Sequence, residues 1–357
     1  MRIRTISLIA LFALVVVAAC GGEAENTTTS SSQETTMPAP QAVALSYSLE
    51  AGTTYEYEVE MDQTIGLTST GDTSALGEEE IPGEASINIT GTSIFSYTVS
   101  DGPEPGTFEI AIVGDFSDLE FSGTVDGEPV DSAEIPQMAE MEPVDVTIVV
   151  DEKGNIIPDD TSGLGEDFLG GLGGLDMLDQ FGAAAATGQF VGPPLSEDPV
   201  TVGDTWSETI EVPAMPGSDP VITQVDNEVV GTDTIDGAEV FVIETTSTTG
   251  AIEFDLAEFL VGFMSSFMTE GATDEEQAQL DAIIDELRFA FSIDETVADM
   301  TSWFDLEAGL TRQAELASDT HIVMDINIPD ESTGELAEFG MDMNLTQDIT
   351  YRLTDGS

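Results

Sequence analysis

The sequence predicts a mainly β (α+β) fold: one large curved antiparallel sheet or half-barrel, with a helical hairpin covering its apolar face. Three observations carry this. Several segments alternate apolar and polar residues with a period of two. Asp-Gly and Gly-Asn turns separate them. One stretch has helical periodicity and enough apolar surface to require a dry partner.

The N-terminus reads Met-Arg-Ile-Arg, then an apolar stretch from Ile6 to Ala19, then Cys20-Gly21-Gly22. A basic start followed by about fourteen mostly apolar residues is a secretory signal, too short to remain as a membrane-spanning helix. Within it, Val17-Ala18-Ala19-Cys20-Gly21 resembles the bacterial lipobox, and the chain's single cysteine falls at the cleavage position. The resemblance implies that 1–19 is a lipoprotein signal peptide and that Cys20 becomes the acylated first residue. The protein would then sit on the extracytoplasmic face of a bacterial cell membrane, held through the Cys20 lipid anchor. A single acyl chain anchors weakly, so several are needed. Residues 20–42 are rich in Thr, Ser, Glu, Gln and Pro, and nothing there offsets the entropy of ordering. They read as a flexible tether reaching roughly 25 Å.

Residues 43–355 read as a mostly-β domain. In Tyr55-Glu56-Tyr57-Glu58-Val59-Glu60-Met61-Asp62 the alternation is unbroken, which means a sheet wet on one side only. Further strands are expected at 86–99, 107–113, 116–125, 144–150, 206–212, 221–230 and 239–247. In 320–328, Ile322, Met324, Ile326 and Ile328 share a face. Near the C-terminus Met341, Met343, Leu345, Ile349, Tyr351 and Leu353 do the same.

The helical hairpin is expected over 255–292. Phe259, Leu260, Phe263, Met264, Phe267 and Met268 recur at i, i+3 and i+4. After Gly271, Thr273-Asp274-Glu275-Glu276 is a capping-box pattern opening a second helix. Its stripe is Leu280, Ile283, Ile284, Leu287 and Phe291, with Arg288 in its last turn, where the helix dipole favours a cation. The segment 161–199 carries a Leu/Phe pattern, but six glycines between Gly163 and Gly174 weaken it as a helix. Each costs about 0.5–1 kcal/mol there. It reads as a Gly-rich linker or lid.

The chain also hints at two similar halves, 43–160 and 200–355. Gly52-Thr53-Thr54-Tyr55 and Gly203-Asp204-Thr205-Trp206 each open a strand. Each half later reaches a Gly turn after an acidic strand end, at Asp151–Gly154 and Asp305–Gly309.

Composition excludes whole classes of function. The 71 acidic residues against 6 basic ones give a formal net charge of −65, which repels phosphate backbones and argues against nucleic acid as a partner. The acids are spread along the whole chain, as in surfaces suited to salty water. Calcium collection is the alternative, but Thr232-Asp233-Thr234-Ile235-Asp236-Gly237 lacks the EF-hand ligand pattern. No cofactor or metal site is expected, since one Cys and one His build no zinc site. His321 is out of phase with Ile322 and Met324, so it faces solvent rather than serving a triad. Lys153 lies in a turn and fits neither a Walker loop nor a Ser-x-x-Lys motif. Chance carboxylate pairs leave a glycoside-hydrolase reading open, but the chain reads as a non-enzyme.

A tether, a large sheet with one dry face and helices to cover it resemble the LolA/LppX-type half-barrel lipoproteins. That resemblance implies a cavity for acyl chains between sheet and helices. Its lining would comprise Phe259, Phe263, Met264, Phe267, Met268, Ile283, Ile284 and Leu287 from the helices. Met324, Met341 and Met343 would line it from the strands, methionine being adaptable to varied apolar ligands. The expected function is noncatalytic binding or carriage of a lipid or other hydrophobic small molecule. The alternative is a structural or protein-interaction module of the envelope with a filled core.

Overall fold

Alternation builds the first strand much further than its acidic residues advertise. In β1 (Thr54–Gly71) every odd-numbered residue from Tyr55 to Leu67 is buried. The positions between carry Glu56, Glu58, Glu60, Asp62 and Thr64. The computed structural model describes residues 42–71, 82–115, 119–131, 144–155, 157, 192–212, 221–255, 288–329 and 336–356. Thirteen further strands follow: β2 (Glu84–Asp101), β3 (Thr107–Asp115), β4 (Leu119–Val125), β5 (Glu128–Asp131), β6 (Val144–Asp151), β7 (Thr205–Val212) and β8 (Val221–Ile235). They continue as β9 (Ala238–Thr249), β10 (Ile252–Asp255), β11 (Arg288–Ile293), β12 (Thr296–Asp305), β13 (Leu310–Pro329) and β14 (Leu336–Gly356). Two of the Asp-Gly turns have positive φ at both residues, Asp126-Gly127 and Asp236-Gly237, the I′ geometry that fits the twist of a hairpin.

All fourteen described strands belong to one antiparallel sheet, which they do not close. The protein is therefore mainly β, and the two halves of the sequence meet in a single sheet through the pairing of β1 with β14.

The centre is made of long strands and the flanks fork. The first half of β2 (Ala85–Gly91) pairs with β4, and its second half (Ile94–Asp101) pairs with β3. In the same way β13 pairs with β12 over Leu310–Ser318 and with β11 over Ile322–Asn327. On the Tyr55 side the order is β6-β3-β2-β1-β14-β13-β12-β9-β8-β7. On the other side it is β5-β4-β2-β1-β14-β13-β11-β10.

The Tyr55 end is tied shut by the chain that precedes β1 and β7. Val43 and Val200 exchange backbone hydrogen bonds of 2.8 Å, Tyr47 N–H donates to Glu152 O, and Ser48 N–H donates to Gly309 O. Lys153 Nζ donates to Leu45 O (2.7 Å) and Ser196 O (3.0 Å), so this turn lysine clamps both lead-in segments instead of lying free on the surface. The openings of β1 and β7 repeat each other. Gly52 N–H donates to Val99 O and Val99 N–H to Thr53 O, while Gly203 N–H donates to Val229 O and Val229 N–H to Asp204 O.

Several expectations need correcting. The range 255–292 is strand at both ends: Asp255 closes β10 and 288–292 lie in β11. Arg288 opens a strand and does not end a helix. The cause is visible in Arg-Phe-Ala-Phe-Ser-Ile, where a period-two pattern coexists with the i+4 step from Leu287 to Phe291. The flank of β13 offers Phe291 a pairing partner in Met324. At the end of the expected Gly-rich linker, 192–200 packs against the core, with Leu195 fully buried. The remainder of that segment, residues 256–287, and the signal and tether through Gln41 lie outside the described residues.

Candidate functional site: a polar belt on the buried face

Along the buried face most inward positions are apolar, and three of the exceptions, Gln63, Gln347 and Ser318, stand side by side on neighbouring strands. Gln63 on β1 is 0% exposed and Gln347 on β14 is 1% exposed; they stand directly opposite each other in the β1–β14 register. Gln347 is in turn opposite Ser318 on β13, which is also buried. With about 4.8 Å between strands, the three side chains run across roughly 10 Å of sheet. Buried Thr320 lies two residues on along β13, and buried Thr296 and Thr249 face each other where β12 and β9 pair. Buried Ser93, on the other flank, lies opposite Val59, four residues along β1 from Gln63, and so stands apart from this row.

The buried polar residues Ser93 and Ser318 each fall at a fork. Ser93 falls between the two halves of β2, and Ser318 ends the pairing of β13 with β12. Where a strand changes partners, neighbouring side chains diverge and each loses packing from one side.

The chemistry of the belt is unfinished. Both Nε2 and Oε1 of Gln63 lack a hydrogen-bond partner, as do Ser93 Oγ, Thr296 Oγ1 and Ser318 Oγ. A buried polar group without a partner costs about 1–3 kcal/mol, and native interiors hold few of them. Farther along, Asn227 is half satisfied: its Oδ1 accepts from Thr245 Oγ1 at 2.7 Å, while its Nδ2 has no partner.

Apolar surface borders the belt on both sides. Toward β4 and β11 lie Ile65, Leu67, Ile87, Leu345, Met343, Ile322, Met324 and Phe339, all buried. Three of the expected lining residues fall here. Met324 and Met343 are buried, and half-buried Met341 packs with Leu67, Ala85 and Val125. In register Met324 is opposite both Met341 and Phe291, so the structure brings these residues together. Phe259, Phe263, Met264, Phe267, Met268, Ile283, Ile284, Leu287 and the lipidation residue Cys20 lie outside the described residues.

The opposite end is filled. Tyr57 and Tyr97 meet edge to face with centroids 5.0 Å apart, and Tyr47 packs likewise on Phe304 at 5.4 Å. Tyr47 Oη donates to Pro193 O (3.0 Å) and Tyr57 Oη to Thr311 O (2.9 Å). Burial raises the phenols of Tyr47, Tyr57, Tyr97 and Tyr351 far above their ordinary value, so they stay neutral. The free space among Tyr47, Tyr55, Tyr57, Tyr97 and their apolar neighbours is about 20 Å³, enough for one water and no ligand.

Charged groups keep off the belt. His321 lies on the outer face as its phase predicts, with Asp294 and Asp342 at its two ring nitrogens. Arg312 is engaged by Asp305. Among the described residues no three His, Cys, Asp or Glu side chains are placed to hold a metal ion. No described helix is long and apolar enough to cross a membrane.

The belt itself was missed in the sequence, though its trace is there. The alternation in β1 loses its apolar member at Gln63, that in β14 at Gln347, and that in β13 at Ser318 and Thr320. Reading each strand as its unbroken apolar run stops short at the polar positions that now align.

No protein-family profile and no curated protein matches the chain. Solved structures give low likenesses. A structure of lipid-protein interactions in lipovitellin has a TM-score of 0.31 at 10% identity, covering 86% of this chain and 26% of that one. Pseudomonas aeruginosa OccK7 (OpdD) gives 0.20 at 6% identity, covering 85% and 99%. An outer membrane channel from Pseudomonas putida F1 gives 0.18 at 7%, covering 85% and 97%. The chain spans about a quarter of the lipovitellin chain. Likenesses at this level carry no argument about fold or function.

Proposed function

We propose that this protein is a membrane-anchored, extracytoplasmic lipoprotein that binds or carries a lipid or other hydrophobic molecule without catalysis. The supporting observation is that every described strand belongs to one sheet, leaving its long buried face no second sheet of described strands to pack on. Such a face needs its own curvature, the helical hairpin expected between Asp255 and Arg288, or a ligand to cover it. That segment leaves and rejoins the sheet on the arm that carries Phe291, Met324 and Met341, which makes the half-barrel with a helical cover the favoured architecture. The lipobox at Cys20 supports the anchor, and the acidic surface suits a domain held off an anionic membrane. A noncatalytic role fits a lone histidine held outside by two carboxylates and a lone lysine bound to backbone carbonyls.

The tightly filled tyrosine end favours one competing reading, an envelope interaction module with a packed core throughout. Native mass spectrometry of the exported full chain, with organic extraction of what co-purifies, separates them. A stoichiometric extracted lipid supports the carrier. Bare protein mass, with no uptake of added fatty acid or phospholipid, leaves the interaction module.

A further inference from the structure

We propose that Gln63, with Ser318 two strands away, recognises an uncharged hydroxyl group on an otherwise apolar ligand. This rests on the carrier reading above and specifies the class of molecule carried. The unpaired atoms state the requirement. Gln63 presents a free donor and a free acceptor at 0% exposure, and Ser318 Oγ adds a hydroxyl two strands away, across Gln347.

A hydroxyl fits because it donates and accepts at once, matching the two ends of a primary amide. A carboxylate or phosphate does not. The described cations Lys153, Arg312 and Arg352 engage other groups, so a buried anion at the belt would go uncompensated. A pure hydrocarbon would leave the amide as unpaired as it is now. The apolar positions on the β4 and β11 side, from Ile65 to Met343 and Met324, supply the surface for the chain of such a molecule.

The test is equilibrium binding to the exported full chain of three probes of equal length, delivered from cyclodextrin: 1-hexadecanol, hexadecane and palmitate. The alcohol should bind roughly tenfold more tightly than the alkane, the effect of two buried hydrogen bonds, and more tightly than palmitate. Gln63→Leu should abolish the preference for the alcohol, and Ser318→Ala should reduce it in part. The preference in the unaltered protein needs no variant to be read, so a variant that misfolds does not shield the proposal. Equal binding of alcohol and alkane, or strongest binding of palmitate, overturns the belt's role while the carrier reading stands. A Gln63→Leu variant that is more stable but equally selective also overturns it, by showing that the amide holds only water. If none of the three binds, the carrier reading fails and this proposal with it.

Discussion

His321 is held between two carboxylates: Nδ1 is 2.6 Å from Asp294 Oδ2, and Nε2 is 3.1 Å from Asp342 Oδ2. The three residues belong to different parts of the sheet. Asp294 sits in the corner between β11 and β12, His321 on β13 where it changes partner, and Asp342 on β14. His321 O also accepts from Asp294 N–H at 3.0 Å. The clamp therefore pins the outer face of the fork whose inner face carries Ser318 and Thr320.

Hydrogen bonds that His321 donates to Asp294 and then Asp342 raise its pKa above the ordinary 6.5, outweighing the opposing effect of partial burial. The folded chain thus holds the proton more tightly than the unfolded one. The stabilisation is fully present below about pH 6.5 and is lost as pH rises through the folded midpoint. With one histidine in the chain, a single imidazole resonance reports it by NMR. Its midpoint should lie above 6.5 and fall toward that value in Asp294→Asn. A midpoint at 6.5 in the unaltered protein would show that the clamp does not act on the ring. Added salt should weaken the shift, because the site is partly exposed.

Asp305 works in the opposite direction. Its burial alone would raise the carboxyl, but hydrogen bonds from Ala308 N–H, Arg312 and Glu307 N–H outweigh that and hold it below its ordinary 3.8. Arg312 Nε lies 2.7 Å from Asp305 Oδ2, and the two N–H groups meet Oδ1 at 2.9 Å. Stability from this group is present above pH 3.8 and disappears as pH falls through the lower folded midpoint. Arg312→Ala should cost about 1.5–3 kcal/mol at neutral pH, the range for a hydrogen bond to a charged group. In urea titrations that cost should shrink below pH 3.8. A cost unchanged down to pH 2 would mean that Arg312 acts through packing alone.

These two sites show what the sequence made legible and what it did not. The outward phase of His321 follows from Ile322 and Met324, and the sheet itself follows from the alternation around Tyr55 and Met343. Its partners Asp294 and Asp342 are 27 and 21 residues away and become neighbours only through strand register, which no local pattern carries. Arg288 misled because its segment satisfies two periods at once, and pairing with β13 decides between them. The belt was hidden for a related reason: one inward polar residue looks like the end of a strand until its neighbours on three strands align.

Glu208 lies on the inward phase of edge strand β7, opposite buried Val225. Burial, then the charges of Asp151 and Glu197, raise its pKa above 4.5. Its ionisation is therefore easier in the unfolded chain, and it subtracts stability as pH rises past 4.5. Glu208→Gln should raise the urea midpoint at pH 7 and leave it unchanged near pH 4. A variant no more stable than the parent at pH 7 would show that water already solvates this carboxylate.

The β12–β13 turn ends on Gly309, at φ +63°, and its carbonyl accepts from Ser48 N–H at 3.0 Å. A Cβ there would lie 2.6 Å from Ser48 Oγ and 2.8 Å from Ser48 N. Gly52, at φ +89°, has open space around the same position. Alanine at Gly52 therefore meets only the left-handed backbone penalty, about 1 kcal/mol. Alanine at Gly309 meets that penalty and must also push the lead-in segment off the turn, for roughly 2–4 kcal/mol in all. Because Ser48 lies in the strap that ties β6 to the β12–β13 turn, Gly309→Ala should also speed proteolysis of the chain before β1, whereas Gly52→Ala should not. Equal stability loss and equal cleavage in the two variants would show that the strap yields freely and does not close this end of the sheet.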